Sequence, residues 1–108
     1  MRKPNKSRGE VGVTVAGEKL ILCATMENLD RLEQETDGLS LVELSRALQL
    51  MKLSVVKAGL IALCVEGDAE AAWYKQVGVK DHYPVRDAIS QALLPDPEGN
   101  AEPGAESR

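Results

Sequence analysis

The periodicity of the apolar residues changes once along this chain, and that change limits the folds open to it. Val11, Val13 and Val15 alternate with smaller or polar residues, Ala16-Gly17-Glu18-Lys19 interrupts them, and Leu20, Leu22 and Ala24 resume with Ile21 and Cys23 between. A period of two around a glycine-containing turn predicts an antiparallel β-hairpin over residues 10–25. Its second strand is apolar on both faces, so helices or a partner subunit should cover the face turned away from the usual core. A lone hairpin is marginal in water, so the helices that follow must pack on it.

From Thr25, a candidate N-cap, the period lengthens to that of a helix. Met26, Leu29 and Leu32 form one stripe that Gly38 stops, and Ser40-Leu41-Val42-Glu43 has the form of a capping box opening a second helix with Leu41, Leu44, Leu48 and Met51. Ser54 is a candidate cap for a third helix, apolar at Val55, Val56, Leu60, Leu63 and Cys64, in which Gly59 marks close packing. A fourth helix with Ala69, Ala72, Trp73 and Val77 on one side ends near Gly78. Pro84 suits the first position of a fifth, whose buried face is Val85, Ala88, Ile89, Ala92 and Leu93. The expected fold class is α+β and mostly helical: an N-terminal antiparallel hairpin (10–25) followed by four or five short helices (26–94), forming one domain over residues 10–94.

A chain of 108 residues with fourteen Leu, ten Val, one Trp, two Tyr and no Phe has few large anchors, which predicts a thin core. The net charge of −4 is unevenly spread. Residues 1–9 carry Arg2, Lys3, Lys6 and Arg8, and read as an unstructured basic arm; residues 95–108, rich in Pro, Gly and Glu, read as a disordered acidic tail. The acidic body between them lacks the basic face that phosphate backbones require, so nucleic acid is not an expected partner. Cys23 and Cys64 lie far apart with no metal-ligand spacing around them, which favours reduced, buried thiols over a disulfide or zinc site. No stretch has the length of a signal peptide or membrane span, so the expected location is the cytoplasm, with no membrane partner.

Convergent chemistry is sparse. His82, in Lys80-Asp81-His82-Tyr83-Pro84, is the sole candidate general base, and no nucleophile is nominated near it. The glycines match neither a dinucleotide fingerprint nor a P-loop. The second and third helices have the outline of a helix-turn-helix, but the would-be recognition helix carries a single basic residue and none of the Asn, Gln or Arg that read bases. The expectation is a protein that is not an enzyme, with no catalytic, metal-ligating or cofactor-binding residues and no cofactor. Trp73 reads as a packing anchor and Tyr74, one position round the helix, as a surface contact. The acidic residues Asp30, Glu33 and Asp37 read as a solvated helix side.

One ordered set of residues is familiar. Arg8-Gly9-Glu10-Val11, Gly17-Glu18 at the hairpin tip, Leu22, Thr25, Leu29, Leu32-Glu33, Thr36, Gly38 and Ser40-Leu41 resemble the small tail proteins of gene transfer agents and related prophages, which are classed as phage tail assembly chaperones. The resemblance is closest over residues 8–64 and continues more weakly through Gly67, Gly78 and the last amphipathic helix. It implies a cytoplasmic assembly factor of a bacterial host that coats the tape measure protein, brings tail tube (major tail) subunits to it and is absent from the mature particle. Family members are often also made in a frameshift-extended form, which would join at the acidic tail. The family offers no catalytic residues to carry over. From the pattern alone, a groove lined by Leu29, Leu32, Leu60 and Leu63, with Tyr74 beside it, is the expected client site, and Ile21 and Cys23 at the hairpin edge are the expected contacts of a homo-oligomer. The other readings are a structural tail or head–tail component and a small nucleic-acid-binding regulator working through the basic arm.

Overall fold

The computed structural model describes residues 2–94. Strands β1 (Glu10–Val15) and β2 (Glu18–Cys23) pair antiparallel with Val15 opposite Glu18, so the turn between them is just Ala16-Gly17. Both turn residues have positive φ, 50° and 87°, the backbone of a type I′ turn whose twist matches that of the strands.

Helix α1 (Met26–Glu35) begins where the Thr25 hydroxyl accepts the Asn28 N–H at 3.1 Å. It ends in a Schellman motif, the Gly38 N–H reaching the Glu33 carbonyl at 2.7 Å while Asp37 takes the left-handed conformation at φ 59°. Helix α2 (Leu41–Gln49) carries the full capping box: the Ser40 Oγ accepts the Glu43 N–H at 3.2 Å and the Glu43 carboxylate accepts the Ser40 N–H at 2.8 Å. Its far end repeats the same closure, with the Lys52 N–H on the Ala47 carbonyl at 2.9 Å and Met51 at φ 56°. This closure delivers the chain straight into helix α3 (Leu53–Leu63), which starts without a side-chain cap. Ser54, expected as that cap, lies inside the helix instead.

Cys64 was expected to end the third helix, and residues 26–94 to be wholly helical; instead, Cys64–Glu66 form a short strand, β3, antiparallel to β2 with a bulge at Ile21/Leu22. Three residues are too few to display a period, and the open edge of β2 recruits them. The sheet order is β1-β2-β3, which makes β2 the middle strand. Asp68 accepts the Ala71 N–H at 3.0 Å and starts α4 (Ala69–Lys75). That helix closes before Val77, which is exposed rather than part of its buried side. Helix α5 (His82–Leu93) holds Pro84 at its third residue rather than its first, still within the first turn where a missing N–H costs nothing.

The core lies between the inner face of the sheet (Val15, Leu20, Leu22) and leucines or valines from α1, α2, α3 and α5. All five residues expected on the buried face of α5 are buried. Gly59 has the expected role: a Cβ there would sit 3.1 Å from both Cδ1 and Cγ2 of Ile89, so α3 and α5 meet at that point. The class is α+β and mostly helical, with the hairpin at its N-terminal side.

The arm departs from expectation. Residues 6–8 form a 3-10 turn capped by Asn5, and residues 2–5 lie against the outer face of the sheet, with Arg2 paired to Glu10 at 2.7 Å. Polar residues that read as solvated in sequence find here a buried carboxylate, Glu10, that needs them. The acidic tail, residues 95–108, falls outside the described residues.

Candidate functional site

Leu29 and Leu32 stand on α1 and Leu60 and Leu63 on α3, and the two helices pack side by side. The side chains nevertheless line no groove. Leu32, Leu60 and Leu63 are in the core, and Leu29 is half-buried in a shallow pocket with Leu39, Leu41 and Leu44. The expected client groove is therefore corrected: the face of α3 that carries Leu60 and Leu63 packs against the sheet and α5, and Leu32 joins the same core, because burying the most apolar face removes the most apolar area from water.

The accessible cleft between these helices lies on the adjacent face. Arg31 and Glu35 of α1 face Ser54, Lys57, Ala58, Ile61 and Ala62 of α3 across a cavity of about 270 Å³. A second hollow shares Glu35 and Ser54 with it and is lined further by Thr36, Asp37, Leu39, Lys52 and Val55. Along α3, Ser54, Ala58 and Ala62 recur every fourth residue, so the floor is a line of small side chains, flanked by the half-buried Ile61. The rims carry both signs of charge. Arg31 makes a loose i,i+4 pair with Glu27 at 3.8 Å, and Lys57 lies 4.7 Å over the ring of Tyr74. A hydrogen bond between the Lys57 ammonium and the Tyr74 hydroxyl holds the lysine above its ordinary range. Tyr74, on α4 and 66% exposed, thus belongs to the rim of this cleft. The geometry suits an amphipathic helix whose apolar stripe meets the small-residue floor. The signal for it in sequence is Ile61, a large apolar residue off the Val56-Leu60-Leu63 stripe.

Ile21 and Cys23 do not form an exposed edge. They lie in the middle strand, Ile21 is 1% exposed, and the free edges of the sheet belong to β1 and β3. The Cys23 thiol donates to the Arg8 carbonyl at 3.5 Å. The Cys64 thiol donates to the Glu66 carbonyl at 3.2 Å, and burial pushes its pKa up, which keeps it protonated and unreactive near neutrality. His82 stacks on Trp73 with ring centroids 5.0 Å apart, and its Nδ1 is 2.8 Å from the Gln76 Oε1. Both faces of that arrangement anchor α4 to the start of α5. Among the described residues, no helix is long and apolar enough to cross a membrane, and no three His, Cys, Asp or Glu gather as a metal site.

A scan against protein-family models and searches of curated proteins and of solved structures each found no match to this chain.

Proposed function

We propose that this protein is a tail assembly chaperone of a phage, prophage or gene transfer agent, which binds the tape measure protein and helps recruit tail tube subunits. The observation that carries the reading is the ordered set from Arg8-Gly9-Glu10-Val11 to Ser40-Leu41. Its members occupy structurally demanding places: Gly9 and Gly17 at positive φ, Thr25 and Ser40 as helix caps, Gly38 in the closure of α1. The α1–α3 cleft supports the reading as a surface that a helical client could occupy, lined by Ala58, Ile61 and Ala62, with Tyr74 adjoining through Lys57. In this reading the protein works in the cytoplasm of a bacterial host and leaves before the particle is complete.

Co-expression with the long, helix-rich tape measure protein encoded beside it tests the reading. The two should co-purify, the larger protein should become soluble, and Ile61→Asp should abolish both while leaving the small protein folded. Co-purification untouched by Ile61→Asp would move the client site elsewhere. Loss of rescue in the wild type would remove the chaperone reading. Detection of the protein by mass spectrometry in purified particles would favour a structural tail component instead, and DNA affinity that falls with salt and disappears on deleting residues 2–9 would favour a regulator.

A further inference from the structure

The outer face of the sheet carries Glu10, Gly12 and Thr14 from β1, Lys19, Ile21 and Cys23 from β2, and Glu66 from β3. Thr14 and Lys19 are exposed, but Ile21 is not, because the N-terminal arm crosses it. Contacts at Arg2, Pro4 and Asn5 seat the arm, and near its end the Cys23 thiol donates to the Arg8 carbonyl at 3.5 Å. The Pro4 ring fits against Gly12, where a Cβ would lie 3.0 Å from the Pro4 Cγ, so the strand has a glycine where the ring approaches. Arg2 reaches both strands that flank β2, bonding the two oxygens of Glu10 at 2.7 and 3.1 Å and pairing with Glu66 at 3.5 Å. Asn5 donates its N–H to the Glu10 carboxylate at 2.8 Å and accepts the Glu10 N–H at 3.1 Å.

We infer that residues 2–9 are a strap, latched over the sheet by Arg2 and hinged at Gly9, whose release bares Ile21 while the core stays folded. The grip is polar rather than packed. A solvent-open hollow of about 320 Å³ runs beside the arm between Arg2, Pro4, Val13, Thr14, Lys19 and Ile21, so the arm's apolar contact with the sheet is confined to the Pro4 ring and the cover over Ile21. Arg2 is 46% exposed, within reach of salt and water. Gly9, at φ 80°, has the backbone freedom that a hinge requires, its N–H held only by the Lys6 carbonyl within the arm at 3.0 Å. Elements held by few apolar contacts and exposed polar bonds open at lower free energy than the globule as a whole. The inference does not depend on the proposed function.

Native-state amide exchange on the full chain, followed by NMR, tests it with two variants that open the strap by different means. Arg2→Ala removes the latch; Gly12→Val pushes the Pro4 ring away while raising the strand propensity of β1. In both, the Asn5 and Glu10 amides should exchange roughly tenfold faster. Amides in α3 and α5 should keep wild-type rates, and about 1 M salt should reproduce the Arg2→Ala pattern in the wild type, since the screening length is then near 3 Å. Unchanged exchange at Asn5 and Glu10 in either variant would overturn the strap. A parallel rise in α3 and α5 would overturn it equally, by showing that the arm opens only when the whole protein does.

Discussion

Gly59 and Gly67 are both glycines that a neighbour packs against, and they differ in what that neighbour is. At Gly59, in the helical layer, a methyl group would meet only side-chain atoms, Cδ1 and Cγ2 of Ile89 at 3.1 Å. At Gly67, just after β3, it would meet the Lys19 carbonyl at 2.8 Å and the Leu20 Cδ2 at 2.5 Å, on a residue already at φ 100°. Side-chain ends give way by tenths of an ångström, whereas a paired backbone does not. The contrast extends to the two regions as wholes. The helices are closed by bonds that reach at most five residues along the chain, Thr25 to Asn28, Ser40 to Glu43, Gly38 to Glu33 and Asp68 to Ala71. The sheet and its cover are held by distant pairs, Ile21 with Glu66 and Arg2 with Glu66.

Gly67→Ala separates the two glycines most sharply. It should destabilise the protein by about 3 kcal/mol, combining the left-handed backbone with the backbone clash, and lower the urea midpoint accordingly. A loss below about 1 kcal/mol would mean that the β3 end yields as easily as a helix surface. Ser40→Ala should cost about 1 kcal/mol through the lost cap, read from the same curves, with the sheet amides unaffected. Gly59→Ala should change stability by less than about 1 kcal/mol, because the gain in helix propensity offsets the displacement of Ile89. A loss equal to that of Gly67→Ala would erase the difference between the two layers.

The smallest effect near neutrality concerns acid. The Arg2 guanidinium and the Asn5 N–H, with Arg8 adding to the field, hold the Glu10 carboxyl down to about 2, against an ordinary value near 4.5. The other acidic group facing Arg2 is Glu66. A depressed carboxylate stabilises the fold above its unfolded value and loses that contribution as pH falls from about 4.5 towards 2. Glu43 acts in the same sense, lowered by the Ser40 N–H and hydroxyl. Stability should therefore fall as pH drops below about 4.5, and Glu10→Gln and Glu43→Gln should each remove their own part of the fall. An acid limb identical in Glu10→Gln would show that the arm does not hold this carboxylate in solution.

The parts of the molecule readable beforehand are those whose causes are local. Thr25 and Ser40 cap helices because a hydroxyl reaches the amide three residues on, and that reach depends on sequence neighbours alone. The groove could not be read the same way. Leu32, Leu60 and Leu63 are buried, since the face that looks most suited to an apolar client is also the one most strongly drawn into the core. Val77 looked like a fourth-helix contact because its spacing continues the stripe, yet the helix had already closed at Lys75.

Taken alone, the order of periods and punctuating residues determined the hairpin, the succession of helices and the buried stripe of α5, because each depends on spacing along one segment; the stripes of α1 and α2 were only partly buried, with Met26 and Leu41 exposed. The tertiary structure decided the rest: that Cys64–Glu66 become a strand, that Ile21 lies under the arm, that Gly12 receives Pro4 and that Ala58 and Ile61, not Leu60 and Leu63, face the cleft. These depend on which segments meet, and the free energy of such meetings is set by surfaces far apart in the chain whose pairing no local period records.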